Sequence, residues 1–273
     1  MDLGLDDRVY IVTGASRGLG AATALALAAE GARLVLCSRD QERLEALAAQ
    51  LGGPDRVIAI PGDLSDPELA GRLCAAAMGR YGRLDGTLIS VGGPPSGSAA
   101  DITDAQWRAA FDSVFLGPLR LARAVIDTST IEGSSIVLVL STSVRSPIPG
   151  LAVSNGLRPG LAMLAKTLAD EAGPRGVRVN ALLPGRIDTD RVRELDDASG
   201  RPAVTRRDQE AKIPLGRYGQ PEEFGRVVER GRHDELLAQD GLYADLYRTQ
   251  FAGQDDAGGD DVPVVEKFDV PVS

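Results

Sequence analysis

Histidine is almost missing from this chain: one residue, His233, in 273. Metal centres and histidine-based acid–base or nucleophilic catalysis draw on that side chain, so no metal site is expected. Cysteine is nearly as sparse. Cys37 and Cys74 fall in a predicted strand and a predicted helix and read as reduced core residues, not a disulfide, which points to a soluble cytoplasmic protein. No apolar run reaches the ~18 residues of a membrane-spanning helix, and the opening MDLGLDDR is too acidic for a signal peptide. A basic surplus is lacking as well. The net charge is −9, and residues 229–273 carry −7 of it through 11 acids against 4 bases, so no nucleic-acid surface is expected. Hydrophobic residues, at 43%, suffice for a substantial core.

What is present is an alternation. Strand-like apolar runs recur at 9–12, 33–37, 56–60, 86–90, 135–140 and 177–182, and helical patterns fill 19–30, 41–51, 67–81, 104–127 and 161–172. Continuous apolar strands between amphipathic helices predict an α/β fold, a doubly wound parallel sheet of Rossmann type with helices on both faces. The stretch 188–212 is charged and weakly periodic and reads as a substrate-covering lid or a mobile loop. The most telling segment is VYIVTGASRGLGAATALALAAEGARLVLCSRD, residues 9–40: strand, glycine turn, helix, strand. Glycines at 14, 18 and 20 let the backbone approach a pyrophosphate at the helix N-terminus.

Residues 5–228 resemble the short-chain dehydrogenase/reductase family, nearest to its acyl-carrier-protein ketoreductase-like members. TGASRGLG fits the family's TGxxxGxG turn, so the resemblance assigns Gly14, Ser16, Arg17, Gly18, Leu19 and Gly20 to the cofactor. GDLSD at 62–66 implies that Asp63 and Leu64 meet the adenine, and Gly92 closes the turn after the fourth strand. LPGRIDT at 183–189 fits PGxIxT, which implies Pro184, Gly185 and Ile187 in the nicotinamide turn and Thr189 on the carboxamide. IPLGRYGQPEEF at 213–224 fits the segment before the family's last helix. NAD-specific folds carry an acid at the end of the second strand, where this chain reads Cys37-Ser38-Arg39. Ser38, Arg39 and Arg17 suit a 2′-phosphate, which favours NADP(H) over NAD, with Asp40 as the counter-argument.

The family's catalysis uses a tyrosine, a lysine four residues on, a serine 13 residues before the tyrosine, and an asparagine on the preceding helix. Aligned on STSVRSPIPGLAVSNGLRPGLAMLAKTLA, these positions hold Ser154, Arg158, Ser141 and Val114. Only the serine type is kept. A hydroxyl titrates far above a phenol, and arginine holds ribose hydroxyls but exchanges no proton near pH 7. The tyrosines at 10, 81, 218, 243 and 247 match no catalytic position. Pro159 and Gly160 predict that the helix begins after Arg158. Two readings stay open: an oxidoreductase acting on a small carbonyl or alcohol through Ser141, Ser154 and Arg158, or a non-catalytic NADP-binding protein.

Beyond 228 the resemblance changes. ERGRHDELLAQDGLYADLYRTQF, residues 229–251, resembles the C-terminal end of an ABC-transporter nucleotide-binding domain, without that domain's P-loop, signature or catalytic glutamate. No ATPase activity is implied, and His233 receives no role. A chimera joined near 225–228, from a genomic deletion or an assembly error, is the third reading. The sheet is then expected to lack its usual last edge strand. The apolar residues of 236–251 are candidates for a surrogate helix, and 262–272 for a surrogate strand, within a disordered acidic tail at 252–273. In the family the lost elements also build an interface, so a homodimer through helices 104–127 and 161–172 is expected in place of a tetramer.

Overall fold

A computed structural model of the chain describes residues 3–129 and 133–224. Its centre is a six-stranded sheet: β1 (Val9–Thr13), β2 (Arg33–Ser38), β3 (Val57–Pro61), β4 (Gly86–Ile89), β5 (Ser135–Val139) and β6 (Arg178–Leu182). All pairs are parallel, in the order β3-β2-β1-β4-β5-β6. The order of the strands reverses between β1 and β4, the switch point at whose carboxyl ends this topology places a ligand cleft. The strands are short runs of Val, Ile and Leu because both faces are covered. Side chains of period two divide into two cores. Ile11, Val35 and Cys37 pack with α3 (Leu69–Tyr81), α5 (Gly117–Thr128) and α6 (Ala152–Ala172). Val12, Leu34 and Leu36 pack with α1 (Gly18–Ala29) and α2 (Gln41–Gln50). Leu36 and Leu44 are fully buried, each contributing about 2 kcal/mol of transfer free energy.

Every predicted strand is present, with ends within one residue of the sequence reading. Three helical segments differ. The single helix expected over 104–127 is α4 (Asp104–Ala110), a π-helical turn at Phe111–Leu116, then α5. A capping box between Thr103 and Gln106 starts α4. The wide turn carries Val114 inward, where it is buried.

The second difference is α6. It begins at Ala152, not after Arg158, and runs through Pro159. An interior proline costs a helix about 3 kcal/mol, since it removes one N–H and crowds the preceding turn. Tertiary contacts offset that cost. The Asn155 amide clamps Ile148, accepting from its N–H at 3.0 Å and donating to its carbonyl at 2.9 Å. Gly156 lies under Trp107, where a Cβ would stand 2.9 Å from the ring. Ser154 and Arg158 are both buried.

The third is the stretch 188–212, which holds two short helices, α7 (Asp190–Asp197) and α8 (Pro202–Glu210). Asp196 is the one residue of α7 that is buried, and α8 buries none. Ion pairs in place of an apolar stripe hold them, so hydrophobic periodicity was blind to both. A short helix, α9 (Pro221–Phe224), ends the described segment, with Phe224 against the α1–α2 core.

Among the described residues β6 pairs with β5 alone and stands at an edge of the sheet. The foreign-looking segment at 229–251, the surrogate helix and strand, and the tail at 252–273 lie outside the described residues. Cys37 and Cys74 are free and buried, and burial pushes the Cys37 thiol up to about 12. Among the described residues no three His, Cys, Asp or Glu gather as a metal site, and no helix is long and apolar enough to cross a membrane.

Candidate functional site

The glycine turn sits at the switch point. The Thr13 hydroxyl donates to the Ser90 carbonyl at 2.8 Å and accepts from the Ser90 N–H at 3.0 Å, tying the end of β1 to the end of β4. Gly14 follows with φ +61°, and a Cβ there would stand 2.8 Å from the Ser90 oxygen. A Cβ on Gly20 would stand 2.3 Å from the Gly14 oxygen. The turn therefore closes only with glycine at both places. Leu19 packs its side chain into the α1–α2 core and leaves its backbone to the turn. Arg17 is the N-cap residue of α1 and no side chain caps the helix, so the first-turn N–H groups are available to an anion. Ser16 lies partly exposed beside them.

At the end of β2 the strongly exposed Arg39 pairs with Asp63 at 3.6 Å and lies against Gly92. Asp63 also accepts from the Ser65 N–H at 2.9 Å, and Leu64 packs into the core beside α5. Ser38 behaves differently from the sequence reading. It is buried, and its hydroxyl donates to the Asp40 carbonyl at 3.1 Å, so its proton is committed within the chain. Asp40, the apparent acidic counter-argument, turns the other way. It caps α2 by accepting from the Arg43 N–H at 3.1 Å and pairs with the Arg43 guanidinium. Both Arg39 and Asp40 are exposed at this strand end, with the Asp40 carboxylate directed to the start of α2 and the Arg39 guanidinium to Asp63.

The wall opposite is formed where β5 runs into the turn Thr142–Val144 and α6. The Ser141 Oγ accepts from the Ser143 N–H at 3.1 Å, which leaves its own proton available. Ser143 and Ser154 share a hydrogen bond of 3.0 Å between their hydroxyls, both buried. Ser143 was missed from sequence because the family spacing points to Ser141 alone. Arg158 donates to the carbonyls of Val139 and Leu140, and its Nε, buried, has no partner. Around it are Ile89, Val91, Val114 and Leu161. Burial lowers the guanidinium to about 10, with the charge of Arg191 acting in the same direction, so Arg158 remains cationic at neutral pH. Of the described tyrosines, Tyr10 and Tyr81 belong to β1 and α3, and Tyr218 donates to Asp196 at 2.9 Å.

The segment from β6 through α7 packs across the open side. Pro184 and Gly185 leave the end of β6, and Ile187 bridges to Gly219, with the Asp188 N–H donating to the Gly219 carbonyl at 2.7 Å. Thr189 caps α7 through its hydroxyl oxygen, which keeps the hydroxyl proton free, and its methyl lies against Gly18. Arg17 reaches Glu194 at 3.1 Å and Asp190 at 3.7 Å. Arg191 crosses to the Pro94 carbonyl at 2.8 Å. Behind α7 the buried Asp196 accepts from Arg186 at 2.7 Å and from Tyr218, whose ring is flanked by Arg186 and Arg206. Hydrogen bonds from Arg206 and Arg193 hold the Asp188 carboxyl below the usual range.

The sequence profile described as Enoyl-(Acyl carrier protein) reductase matches residues 14–229. An uncharacterized oxidoreductase of Mycobacterium tuberculosis is 35% identical over 228 residues, 81% of this chain and 82% of that protein. Dehydrogenase/reductase SDR family member 4 of Homo sapiens is 32% identical over 231 residues, 82% of this chain and 80% of that protein. A short-chain dehydrogenase/reductase described as glucose/ribitol dehydrogenase, from Brucella melitensis, superposes with a TM-score of 0.77 at 30% identity, covering 82% of this chain and 89% of its own. L-sorbose reductase from Gluconobacter frateurii, solved with NADPH and L-sorbose, gives 0.75 at 26% identity with the same coverage. The agreement runs from the glycine turn through both walls of the cleft to the lid, and the chain belongs to the short-chain dehydrogenase/reductase family of oxidoreductases.

Proposed function

We propose that the chain binds NADP(H) and serves hydride transfer between the nicotinamide and a small carbonyl or alcohol. The observation that carries this is the end of β2, where Arg39 stands exposed while Asp40 is turned away to cap α2. A free acid there would accept from a ribose 2′-hydroxyl, whereas Arg39 and Arg17 suit a 2′-phosphate. Gly14, Ser16, Gly18, Leu19 and Gly20 would hold the pyrophosphate. Asp63, Leu64 and Gly92 would border the adenosine, and Pro184, Gly185, Ile187 and Thr189 the nicotinamide. The bound cofactor supplies or accepts the hydride. Ser141, its proton free, donates a hydrogen bond to the substrate oxygen. Ser154 supports the Ser143 turn that orients Ser141, and Arg158 adds positive charge beneath that turn. None of the three titrates near neutrality, so solvent must supply or accept the proton, and turnover is expected to be slow.

The commitment of Arg158 to backbone carbonyls favours a second reading, an NADP-binding protein without catalysis. The end of the profile match at 229 supports the chimeric reading of the C-terminal segment. Exposed Phe111 and Met163, at 40% and 62%, support a homodimer through the α4–α6 face, and the two reduced cysteines suit the cytoplasm.

Titration with NADPH and NADH, read by cofactor fluorescence, tests the binding. No NADPH binding at millimolar concentration overturns both cofactor readings. Oxidation of NADPH in the presence of ketones and acyl thioesters separates enzyme from non-catalytic binder. If turnover occurs and Ser141→Ala leaves it unchanged, the role given to Ser141 is wrong.

A further inference from the structure

The same helix that closes the cleft carries the groups that compete for its cofactor-binding arginine. We infer that Glu194 and Asp190 on α7 restrain the preference for a 2′-phosphorylated cofactor by holding Arg17 in its absence. The inference rests on the NADP reading above.

Arg17 has two carboxylate partners, both from the first two turns of α7, with Glu194 the closer at 3.1 Å. Helix α7 also docks on the other bank of the cleft. Arg191 hydrogen-bonds the Pro94 carbonyl and presses on Gly93, where a Cβ would stand 2.2 Å from its Nε. Thr189 closes the near side against Gly18. The carboxylates therefore occupy the Arg17 guanidinium, the group that the NADP reading assigns to the 2′-phosphate. A phosphate dianion arriving at Arg17 must exchange with them. Having no 2′-phosphate, NADH has no group to exchange there. Charge at two lid positions would thus tune discrimination between the cofactors, although neither position lies in the glycine turn or at the end of β2.

The magnitude is bounded. Arg17, Asp190 and Glu194 are each about half exposed, and an exposed ion pair of ≤1 kcal/mol corresponds to at most ~5-fold in Kd. The test measures Kd for NADPH and NADH by fluorescence titration in wild type, Glu194→Gln, and Glu194→Gln with Asp190→Asn. The expected result is NADPH binding tightened roughly 3- to 5-fold by the single change and further by the double, with NADH moving less than about twofold. Glu210→Gln, which removes a like charge paired with Arg206, controls for net charge and should leave the ratio unchanged. In an Arg17→Ala background Glu194→Gln should have no effect on the ratio. An unchanged NADPH/NADH ratio in wild type against Glu194→Gln overturns the inference while leaving NADP binding intact. Absence of NADPH binding in every variant instead overturns the underlying cofactor reading, and the inference falls with it. Matching thermal melts of the variants show that folding is not the cause.

Discussion

On the β1–α1 side of the cleft the buried contacts are mostly apolar, Val12, Leu34 and Leu36 against α1 and α2, joined by the neutral tie from the Thr13 hydroxyl to the Ser90 backbone beneath the glycine turn. On the lid side, α7 and α8 bury between them one residue, the carboxylate Asp196, and hold their place through Arg17, Arg186, Arg193 and Arg206. The first side is therefore expected to respond little to salt and pH and to reject added volume, and the second to depend on charge state. A rigid cradle facing an electrostatically fastened cover suits a site that must admit and release a large anionic ligand.

The strongest test of that contrast is Gly20→Val. With a Cβ already 2.3 Å from the Gly14 oxygen, the turn must open, and a loss of roughly 4 kcal/mol in urea unfolding is expected, together with loss of NADPH binding. Little change would mean that the cradle adapts and the contrast is false. Next, Leu36→Ala should cost about 3 kcal/mol and cost the same in low salt and in 1 M NaCl. Asp196→Ala removes the shared acceptor of Arg186 and Tyr218. Breaking a buried pair costs about 3–5 kcal/mol, and the partial exposure of Arg186 brings this to about 2. Its signature should be local: hydrogen exchange rising over 190–210 while β1 and β2 stay protected.

The smallest effect is acid loosening of the lid. The lowered Asp188 contributes stability that is complete above the ordinary carboxylate pKa of about 4 and disappears as pH falls through its lowered value. Protection of the α7–α8 amides, corrected for intrinsic exchange, should therefore fall as pH drops below the ordinary carboxylate range, before the sheet responds. Simultaneous loss in sheet and lid would dissolve the distinction.

The same contrast governs what was legible in the sequence. Strands and glycine turn announce themselves because burial demands unbroken apolar runs and close approach demands glycine. Helices α7 and α8 were hidden because opposite charges brought together by folding leave no periodic trace. The start of α6 was misplaced because Pro159 signals a boundary locally, while the Asn155 clamp on Ile148 and the burial of Ser154 and Arg158 decide it from elsewhere in the fold. At the candidate site, family spacing in the sequence points to Ser141. It does not point to Ser143, whose role comes from meeting Ser154 across a turn. By sequence Ser38 suits a 2′-phosphate and Asp40 argues against one, and their hydrogen bonds within the β2–α2 turn show that proximity in sequence does not settle direction.

The two cysteines give the molecule a built-in clock. Cys37 and Cys74 are the chain's only thiols, and both lie in the core shared by β2 and α3. With Cys37 buried and its ionisation pushed up to about 12, thiolate forms only when that core opens. Labelling with an aromatic disulfide reagent would therefore time the opening of the core on the α3–α5–α6 face of the sheet, opposite the α1–α2 core of the cradle. Fluctuations confined to α7 and α8, which contribute nothing to the core around these sulfurs, would pass unrecorded.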